Sequence, residues 1–250
     1  MSSAAVTPAM SPRRERARAA TIEEIKATAL ELMREQRTTD VRFTDIARQM
    51  GMTPPALYRY FADRDALLTA LITDGYDRLG EDVRASQQGF DRADVGGRFL
   101  AAAQAYRTWA RQEPEQFALV LGVPVPGYVA EDDGPTTEAA KRAMGQLSAL
   151  FTDAAELGRL GRPAIREAHS SLRDCANDKH PELEGVLPAE TFQAILQAWA
   201  GLHGFTSLEA YGHLDWLTPE ARDALFLAQV ELIAQASGLP PADGSGSATD

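Results

Sequence analysis

The pattern of apolar and polar positions along this chain predicts helices almost throughout. Apolar residues recur at steps of three and four, which place them on one face of a helix. We find no convincing run that alternates between apolar and polar residues, as a half-buried strand would. We therefore expect an all-α fold of about nine helices. Outside the stretch discussed next, the expected helices span about 21–37, 63–87, 93–112, 114–121, 137–158, 163–177, 189–213 and 218–237.

Residues 41–68 carry the most specific pattern in the chain. An apolar stripe at helical spacing ends at Gly51, where a backbone with positive φ is needed. Thr53 then offers a cap for a new helix, and Pro54 fits its first turn, which needs no N–H donor. A helix, a short glycine turn and a second helix form a helix-turn-helix, whose second helix enters the major groove of DNA.

Eleven positions at fixed spacing in this stretch carry a family resemblance. The stretch resembles the tetracycline-repressor (TetR/AcrR) family, and the match, with the helix before it, covers roughly residues 20–70. The resemblance implies a homodimer that binds a DNA operator and a C-terminal helical domain that binds a small molecule. The matching residues are Ile46, Ala47, Gly51, Met52, Thr53, Leu57, Tyr58, Tyr60, Phe61, Arg64 and Leu67.

Composition and pattern divide the chain into four expected segments. Residues 13–18 are strongly basic, and two interpretations stay open: they contact phosphate or the minor groove, or they form a solvated tail. Thr21 and Glu24 form a capping box that would begin the first helix, and Asp63 would cap the long helix. The segments are a disordered basic arm (1–18), the DNA-binding domain (19–66), a ligand-binding and dimerisation domain (67–238) and a disordered tail (239–250).

The charge of the chain is unevenly distributed. The net charge is −11, which is at odds with binding to DNA. From Arg13 to Arg64, however, eleven basic and eight acidic residues give +3, whereas the remaining fourteen basic and twenty-eight acidic residues give −14. Only the first segment has the sign that phosphate attracts. The acidic remainder is expected to face away from DNA.

The composition argues against several other classes of protein. The single cysteine, Cys175, excludes an intramolecular disulfide, and no apolar run approaches the roughly 20 residues of a membrane span. His203 and His213 are ten positions apart, nearly three turns of a continuous helix, so they cannot share one metal ion. Neither an HExxH motif nor a Walker glycine loop is present. We expect a cytoplasmic protein with no enzymatic activity, no cofactor, no metal and no membrane partner.

The second helix of the helix-turn-helix offers few groups that can read bases directly. Pro54, Pro55 and Ala56 lack long donors or acceptors, so contact with thymine methyl groups is the expected substitute. Arg59 is the best candidate for a hydrogen bond to a base. The full set of candidate DNA contacts is Arg42, Thr44, Thr53, Pro54, Pro55, Ala56, Tyr58, Arg59, Tyr60 and Arg64.

Three of these candidates come from the family resemblance. The resemblance implies that Tyr58, Tyr60 and Arg64 meet phosphates or the groove wall. Arg64 has a second interpretation, as a solvated partner of Asp63 or Asp65. Tyr60 has a second interpretation as well, as a half-buried ring.

Two further candidate contacts and two expected core residues belong to this domain. Arg42 stands where the family usually has Ser or Thr, which weakens a helix cap and can add a phosphate contact. Thr44 is placed to touch the DNA backbone or a base. Leu57 and Phe61 are expected in the core.

The C-terminal part carries a second resemblance. Residues 198–214 contain a W-x-G-x-H-G pattern found in one branch of TetR-type C-terminal domains, and residues 105–122 are similar to the same branch. The family resemblance implies a ligand pocket between helices. The candidate lining residues, each of which could also be plain core, are Phe99, Tyr106, Trp109, Phe117, Phe151, His169 and Trp199.

The same resemblance implies that the last two helices pair with those of a second subunit. Glycines allow close approach of helices, and the final helix is apolar on more than one face, as a helix buried on two sides requires. The alternative is a monomer in which this helix is simply core. The candidate interface residues are Gly201, Gly204, Leu225, Phe226, Val230 and Ile233.

Together these observations predict a ligand-responsive transcriptional regulator. We expect a homodimeric repressor of a palindromic operator that an unknown small molecule releases by changing the tilt of the 63–87 helix. The alternative is a helical small-molecule-binding or scaffold protein without sequence-specific DNA binding, which the weak base-reading chemistry at positions 53–56 favours.

Overall fold

The computed structural model describes residues 11–122, 124–179 and 187–242, which contain ten α-helices and no strand. The all-α prediction is confirmed: these ranges contain the eight helices expected outside the helix-turn-helix and the two within it. None of the helices in these ranges is both long and apolar enough to cross a lipid bilayer. The helices are α1 (Pro12–Gln36), α2 (Phe43–Gln49), α3 (Pro54–Leu57), α4 (Arg64–Ser86), α5 (Val95–Gln112), α6 (Pro114–Leu121), α7 (Pro135–Glu156), α8 (Ser170–Lys179), α9 (Ala189–Ala210) and α10 (Pro219–Ser237).

Helices α1 to α3 and the start of α4 enclose the first hydrophobic core. Leu57 is fully buried and Phe61 is 8% exposed, so both lie in this core as expected. Gly51 has φ +64, the left-handed conformation that the turn between α2 and α3 requires. Leu119 of α6 and Val125 of the chain that follows α6 complete the core. This unit, the expected DNA-binding unit, therefore rests on the C-terminal part through an apolar contact.

Helix α1 begins nine residues earlier than the capping box predicted. Ser11 occupies the N-cap and Pro12 the first turn, and the Arg- and Ala-rich sequence that follows favours a helix. Thr21 lies inside this helix, where its hydroxyl donates to the carbonyl of Ala17 at 3.0 Å. The expected disorder is therefore wrong for residues 11–18. Residues 1–10 lie outside the described ranges.

Two segments near the C-terminus also differ from the prediction. Helix α8 begins at Ser170 and not near residue 163, because the preceding chain bonds to the end of α10 instead of to itself. The N–H of Gly161 donates to the carbonyl of Gly238 at 2.7 Å, and that of Ala164 to Ala236 at 2.8 Å. Leu239, expected in a disordered tail, is 5% exposed and packs in the core. Residues 243–250 lie outside the described ranges.

The C-terminal helices pack around α4 and α5. Helix α4 makes its most extensive contacts with α7 and also packs on α5 and α6, while α9 and α10 pack on each other. The expected cap at Asp63 is confirmed, and Thr218 caps α10 in the same way. Asp63 accepts the N–H of Ala66 at 2.8 Å, and Thr218 accepts that of Ala221 at 3.3 Å. These caps fix where α4 leaves the DNA-binding unit and where α10 begins.

Candidate functional site

The helix-turn-helix presents most of its candidate DNA contacts to solvent. Helix α3 is short, and a turn continues it: the N–H groups of Tyr60 and Phe61 both donate to the carbonyl of Leu57, at 2.9 and 3.1 Å. This turn brings Arg59 to the outer surface beyond α3. Ala56, Tyr60 and Arg64 are partly buried. The exposed candidates are Arg42, Thr44, Thr53, Pro54, Pro55, Tyr58 and Arg59.

Aromatic packing orients the side chain at position 58. The ring of Tyr58 lies against Phe43 of α2, with centroids 5.2 Å apart, while the residue stays 56% exposed. The apolar part of the ring is therefore supported from behind, and its hydroxyl remains available for a hydrogen bond. Such an arrangement suits contact with a phosphate or a groove wall.

Arg18 joins the N-terminal extension of α1 to the end of the recognition segment, which consists of α3 and the turn after it (residues 54–60). Its guanidinium donates to the carbonyl of Arg59 at 2.7 Å and lies over the ring of Tyr60, 5.2 Å from the centroid. Tyr60 is half-buried, as its second interpretation held. This contact was not predicted, because Arg18 belongs to the arm that was expected to be disordered. The Arg- and Ala-rich arm continues the helical pattern of α1, and this continuity was the signal in the sequence from which the contact could have been predicted.

Arg64 pairs with a residue that the sequence analysis did not consider. Its guanidinium bonds Asp40 at 2.9 Å, and Asp65 lies 3.8 Å away. The pairing with Asp40 fixes the loop before α2 to the start of α4. Contact of Arg64 with DNA therefore stays a prediction.

A small cavity lies between α4, α5, α7 and α9. Its volume is about 60 Å³, and its walls include Val83, Phe99, Tyr106, Met144, Trp199 and Leu202. Three of the seven candidate lining residues, Phe99, Tyr106 and Trp199, are among them.

The other four candidates do not line this cavity. Trp109, Phe117 and Phe151 are almost fully buried in the core, where Trp109 meets Phe117 edge to face at 6.1 Å. His169 is exposed, and its Nδ1 bonds the hydroxyl of Ser171 at 2.8 Å. Residues 163–169 are not helical, so the helical spacing that would have turned His169 inward does not apply.

A polar chain runs from Tyr106, in the cavity wall, into α9. The hydroxyl of Tyr106 lies 2.9 Å from Nδ1 of His203, whose Nε2 lies 3.3 Å from the hydroxyl of Ser207. Trp199 stacks on the imidazole of His203, with ring centroids 5.6 Å apart and an interplanar angle of 10°. Burial raises the pKa of Tyr106 and lowers that of His203 from their ordinary values. Both groups are therefore uncharged at neutral pH.

His203 was not among the candidate lining residues, although it belongs to the W-x-G-x-H-G pattern. Its partner Tyr106 is 97 positions away in the chain. A local periodicity in the sequence cannot predict contact between residues so far apart.

Helices α9 and α10 leave an apolar surface uncovered, which we call the outer apolar face. On α9 it follows a step of four residues, and Gly204 in its middle has open space where a side chain would be. The face consists of Leu196, Ala200, Gly204 and Leu208 of α9 and Leu225, Ala228 and Leu232 of α10.

Only two of the six candidate interface residues lie on this face, Gly204 and Leu225. Phe226, Val230 and Ile233 are buried within the subunit. A Cβ at Gly201 would lie 2.9 Å from Cδ1 of Ile233, so this glycine serves the packing of α9 on α10 inside one chain. The prediction of apolar residues on more than one face of α10 is confirmed, but it did not separate the inner face from the outer one.

A buried ion pair holds α5, α9 and α10 together. Arg107 is 2% exposed and donates two hydrogen bonds of 2.6 Å to the carboxylate of Glu209. Its guanidinium also pairs with Asp223 at 2.8 Å and lies 4.6 Å from the ring centroid of Phe226. This ion pair was not predicted, because the sequence around a single arginine among apolar positions does not indicate its partners.

Comparison with known proteins gives matches over both parts of the chain. The family described as "Bacterial regulatory proteins, tetR family" matches residues 25–71, and "Tetracyclin repressor-like, C-terminal domain" matches residues 99–233. The HTH-type transcriptional regulators Rv1816 of Mycobacterium tuberculosis (strain H37Rv) and Mb1846 of Mycobacterium bovis are each 32% identical over 221 residues, which cover 84% of this chain and 91% of the relative.

Solved structures agree with this result. The crystal structure of SCO4313 is 32% identical and superimposes with a TM-score of 0.66, covering 91% of this chain and 98% of that chain. A protein of unknown function from Rhodococcus sp. RHA1 shares the fold at 24% identity and a TM-score of 0.62, covering 86% of this chain and 95% of that chain.

Proposed function

Because this chain belongs to the TetR family and is therefore a transcriptional regulator, we propose that it acts as a homodimeric repressor that a small molecule releases from its operator. Regulators of this family bind DNA operators and form dimers, and the family is not enzymatic. The observation that carries the proposal is the combination of an exposed helix-turn-helix with an uncovered apolar face on α9 and α10. Since operator DNA lies in the bacterial cytoplasm, we place the protein there.

The proposed DNA contacts follow the exposure of the helix-turn-helix. Pro54, Pro55 and Ala56 would meet thymine methyl groups, and Arg59 would donate to a base edge. Tyr58 and the basic residues of the N-terminal extension of α1 would contact phosphates. These residues lie in the segment of the chain whose net charge is +3, which suits attraction to phosphate.

The outer apolar face would be covered by the same face of a second copy. One helix-turn-helix makes few phosphate contacts, whereas a two-fold dimer doubles them and reads two half-sites about 34–36 Å apart or at a multiple of that spacing. Ala200 and Gly204 have little or no side chain, so two copies of α9 can approach closely. The leucines on both sides would then bury apolar area at the two-fold axis.

Helix α4 would carry the signal from ligand to DNA. It joins the DNA-binding domain, proposed at residues 19–66, to the C-terminal domain, proposed at 67–238, and Val83 near its end lines the cavity. A ligand that favours a different tilt of α4 would change the spacing of the two recognition segments. A coupling of about 1–3 kcal/mol would weaken operator binding about 5–150-fold.

We also place the C-terminal domain in the branch with the W-x-G-x-H-G pattern. The stacking of Trp199 on His203 supports this assignment, because it gives two residues of the pattern a joint role beside the cavity. The close packing of Gly201 against Ile233 gives a third residue of the pattern a role.

Selection of bound duplexes from random DNA tests the proposed function. We expect the protein at physiological salt to enrich an inverted repeat whose half-sites are one helical turn, or a multiple, apart. The variant Arg59→Ala should enrich the repeat less strongly. If the protein enriches no sequence, it is a helical ligand-binding or scaffold protein and the proposal fails.

A further inference from the structure

We propose that the cavity between α4, α5, α7 and α9 binds an uncharged, mostly apolar molecule with one hydroxyl group, and that Tyr106, backed by His203, receives that hydroxyl. This inference rests on the proposed function, since it names the chemical class of the effector.

The walls of the cavity favour an uncharged, apolar ligand. Among the described residues no charged side chain lines it, and most of its walls are aliphatic or aromatic, including Val83, Phe99 and Leu202. A carboxylate or an ammonium group would lose its hydration here without gaining a counter-charge, which is strongly unfavourable. An apolar ligand has no such hydration to lose, and its burial is favourable because its apolar surface leaves water.

The polar chain behind the wall favours a hydroxyl as the one polar group of the ligand. A neutral imidazole has one N–H donor and one acceptor nitrogen, so the bonds from Tyr106 through His203 to Ser207 can run in either direction. In one direction the hydroxyl proton of Tyr106 is free to be donated to a ligand. In the other direction, Tyr106 donates its proton to His203, and its oxygen can accept a hydrogen bond from a ligand. A ligand hydroxyl, which donates and accepts, fits both arrangements.

The size of the cavity requires that some of its walls move. At about 60 Å³ it is far smaller than the several hundred Å³ of a typical ligand pocket. Met144 is a flexible side chain that can change rotamer at low cost. Trp199 lines the cavity and is also 37% exposed, so it lies between the cavity and solvent and would have to turn aside for entry.

Isothermal titration calorimetry with three matched probes tests the proposal on the full chain without DNA. The probes are 4-methylphenol, p-xylene, in which a methyl group replaces the hydroxyl, and 4-methylbenzoate, which carries a charge. We expect 4-methylphenol to bind about tenfold more tightly than p-xylene, the effect of one buried hydrogen bond, and 4-methylbenzoate not to bind.

Two variants assign the preference to Tyr106. Tyr106→Phe should bring the affinity for 4-methylphenol down to that for p-xylene. Tyr76→Phe should keep the tenfold preference, because the hydroxyl of Tyr76 bonds the carbonyl of Val120 and lies outside this cavity. Ala102→Leu, which fills the cavity, should abolish binding of both neutral probes while circular dichroism confirms the fold.

Three results would overturn the proposal: no binding of any probe, binding of 4-methylbenzoate as tight as that of 4-methylphenol, or a preference that survives in Tyr106→Phe. Because the titration contains no DNA, its outcome is independent of the selection of duplexes. A protein that enriches no sequence but binds 4-methylphenol as described would lack the proposed regulatory function and still have the proposed site.

Discussion

At the scale of single residues, the charged side chains of this protein have very different roles. Arg107 is buried, and hydrogen bonding to Glu209 raises its pKa further above its ordinary value. Arg59 is exposed on the recognition segment. The first arginine stabilises the fold by satisfying a buried carboxylate, and we propose that the second acts only when DNA is present.

Removing the charge of Arg107 is expected to destabilise the fold strongly. Arg107→Met leaves Glu209 buried without a partner, which costs about 3–5 kcal/mol of unfolding free energy. Asp223→Asn is the control, because Asp223 is 59% exposed and its pairing with Arg107 is largely solvated. Urea denaturation measures both variants. Equal unfolding free energies of the two variants would contradict the stabilising role of the pair between Arg107 and Glu209.

Arg59→Ala is expected to lose about 1–3 kcal/mol of discrimination at one base pair of each half-site. Competition between the selected operator and duplexes with single base substitutions measures this loss. Arg173→Ala removes the same charge from an exposed position on α8 and should leave discrimination unchanged. If Arg59→Ala weakens binding to all duplexes equally, Arg59 contacts phosphate and does not read a base.

At the scale of the elements, α4 is the helix that belongs to both halves of the molecule. Its N-terminal part, from Leu67 to Ile72, lies in the core of the DNA-binding unit, and α4 also packs against α5, α6 and α7. Gly75 marks a close approach to α6, since a Cβ there would lie 2.6 Å from Cγ2 of Val120. The two helices are therefore in direct contact at a point between the cavity and the recognition segment.

Gly75→Ala is expected to lower the unfolding free energy, because overpacking against Val120 costs about 1–3 kcal/mol and the gain in helix propensity returns about 1 kcal/mol at most. Gly145→Ala is the matched control on α7, where a Cβ meets nothing within 4 Å. That variant should be stabilised by up to about 1 kcal/mol. Thermal denaturation compares the two. Stabilisation of Gly75→Ala would show that α4 and α6 separate easily.

At the scale of the whole molecule, the excess of positive charge and the outer apolar face belong to different parts of the chain. The segment from Arg13 to Arg64 carries +3 and the remainder −14. A dimer joined through the outer apolar face would bring the two basic segments to one duplex while its acidic parts resist non-specific contact with DNA.

Charges on the outer apolar face are expected to separate the dimer. The double variant Leu225→Glu and Leu232→Glu places two carboxylates where two copies would meet, and both leucines are about half exposed in one subunit, so the fold itself should tolerate them. Phe90→Glu, at a residue 43% exposed in the loop after α4, is the control and should remain dimeric. Sedimentation velocity gives the masses. A wild-type monomer, or a double variant that stays dimeric, would contradict the proposed interface.

The sequence by itself determined what depends on neighbours along the chain. The left-handed turn at Gly51, the caps at Asp63 and Thr218 and the burial of Leu57 and Phe61 are fixed within a few residues by backbone conformation and helical spacing. The family of the chain followed from the same local pattern.

Only the tertiary structure decided which groups meet across the fold. Tyr106 and His203 are 97 positions apart, Arg107 and Glu209 are 102 apart, and Arg18 reaches Arg59 from what the sequence analysis took for a disordered arm. Helical spacing shows which face of a helix is apolar. Whether that side turns to its own subunit, as at Ile233, or to the outer face, as at Leu225, depends on how whole helices pack.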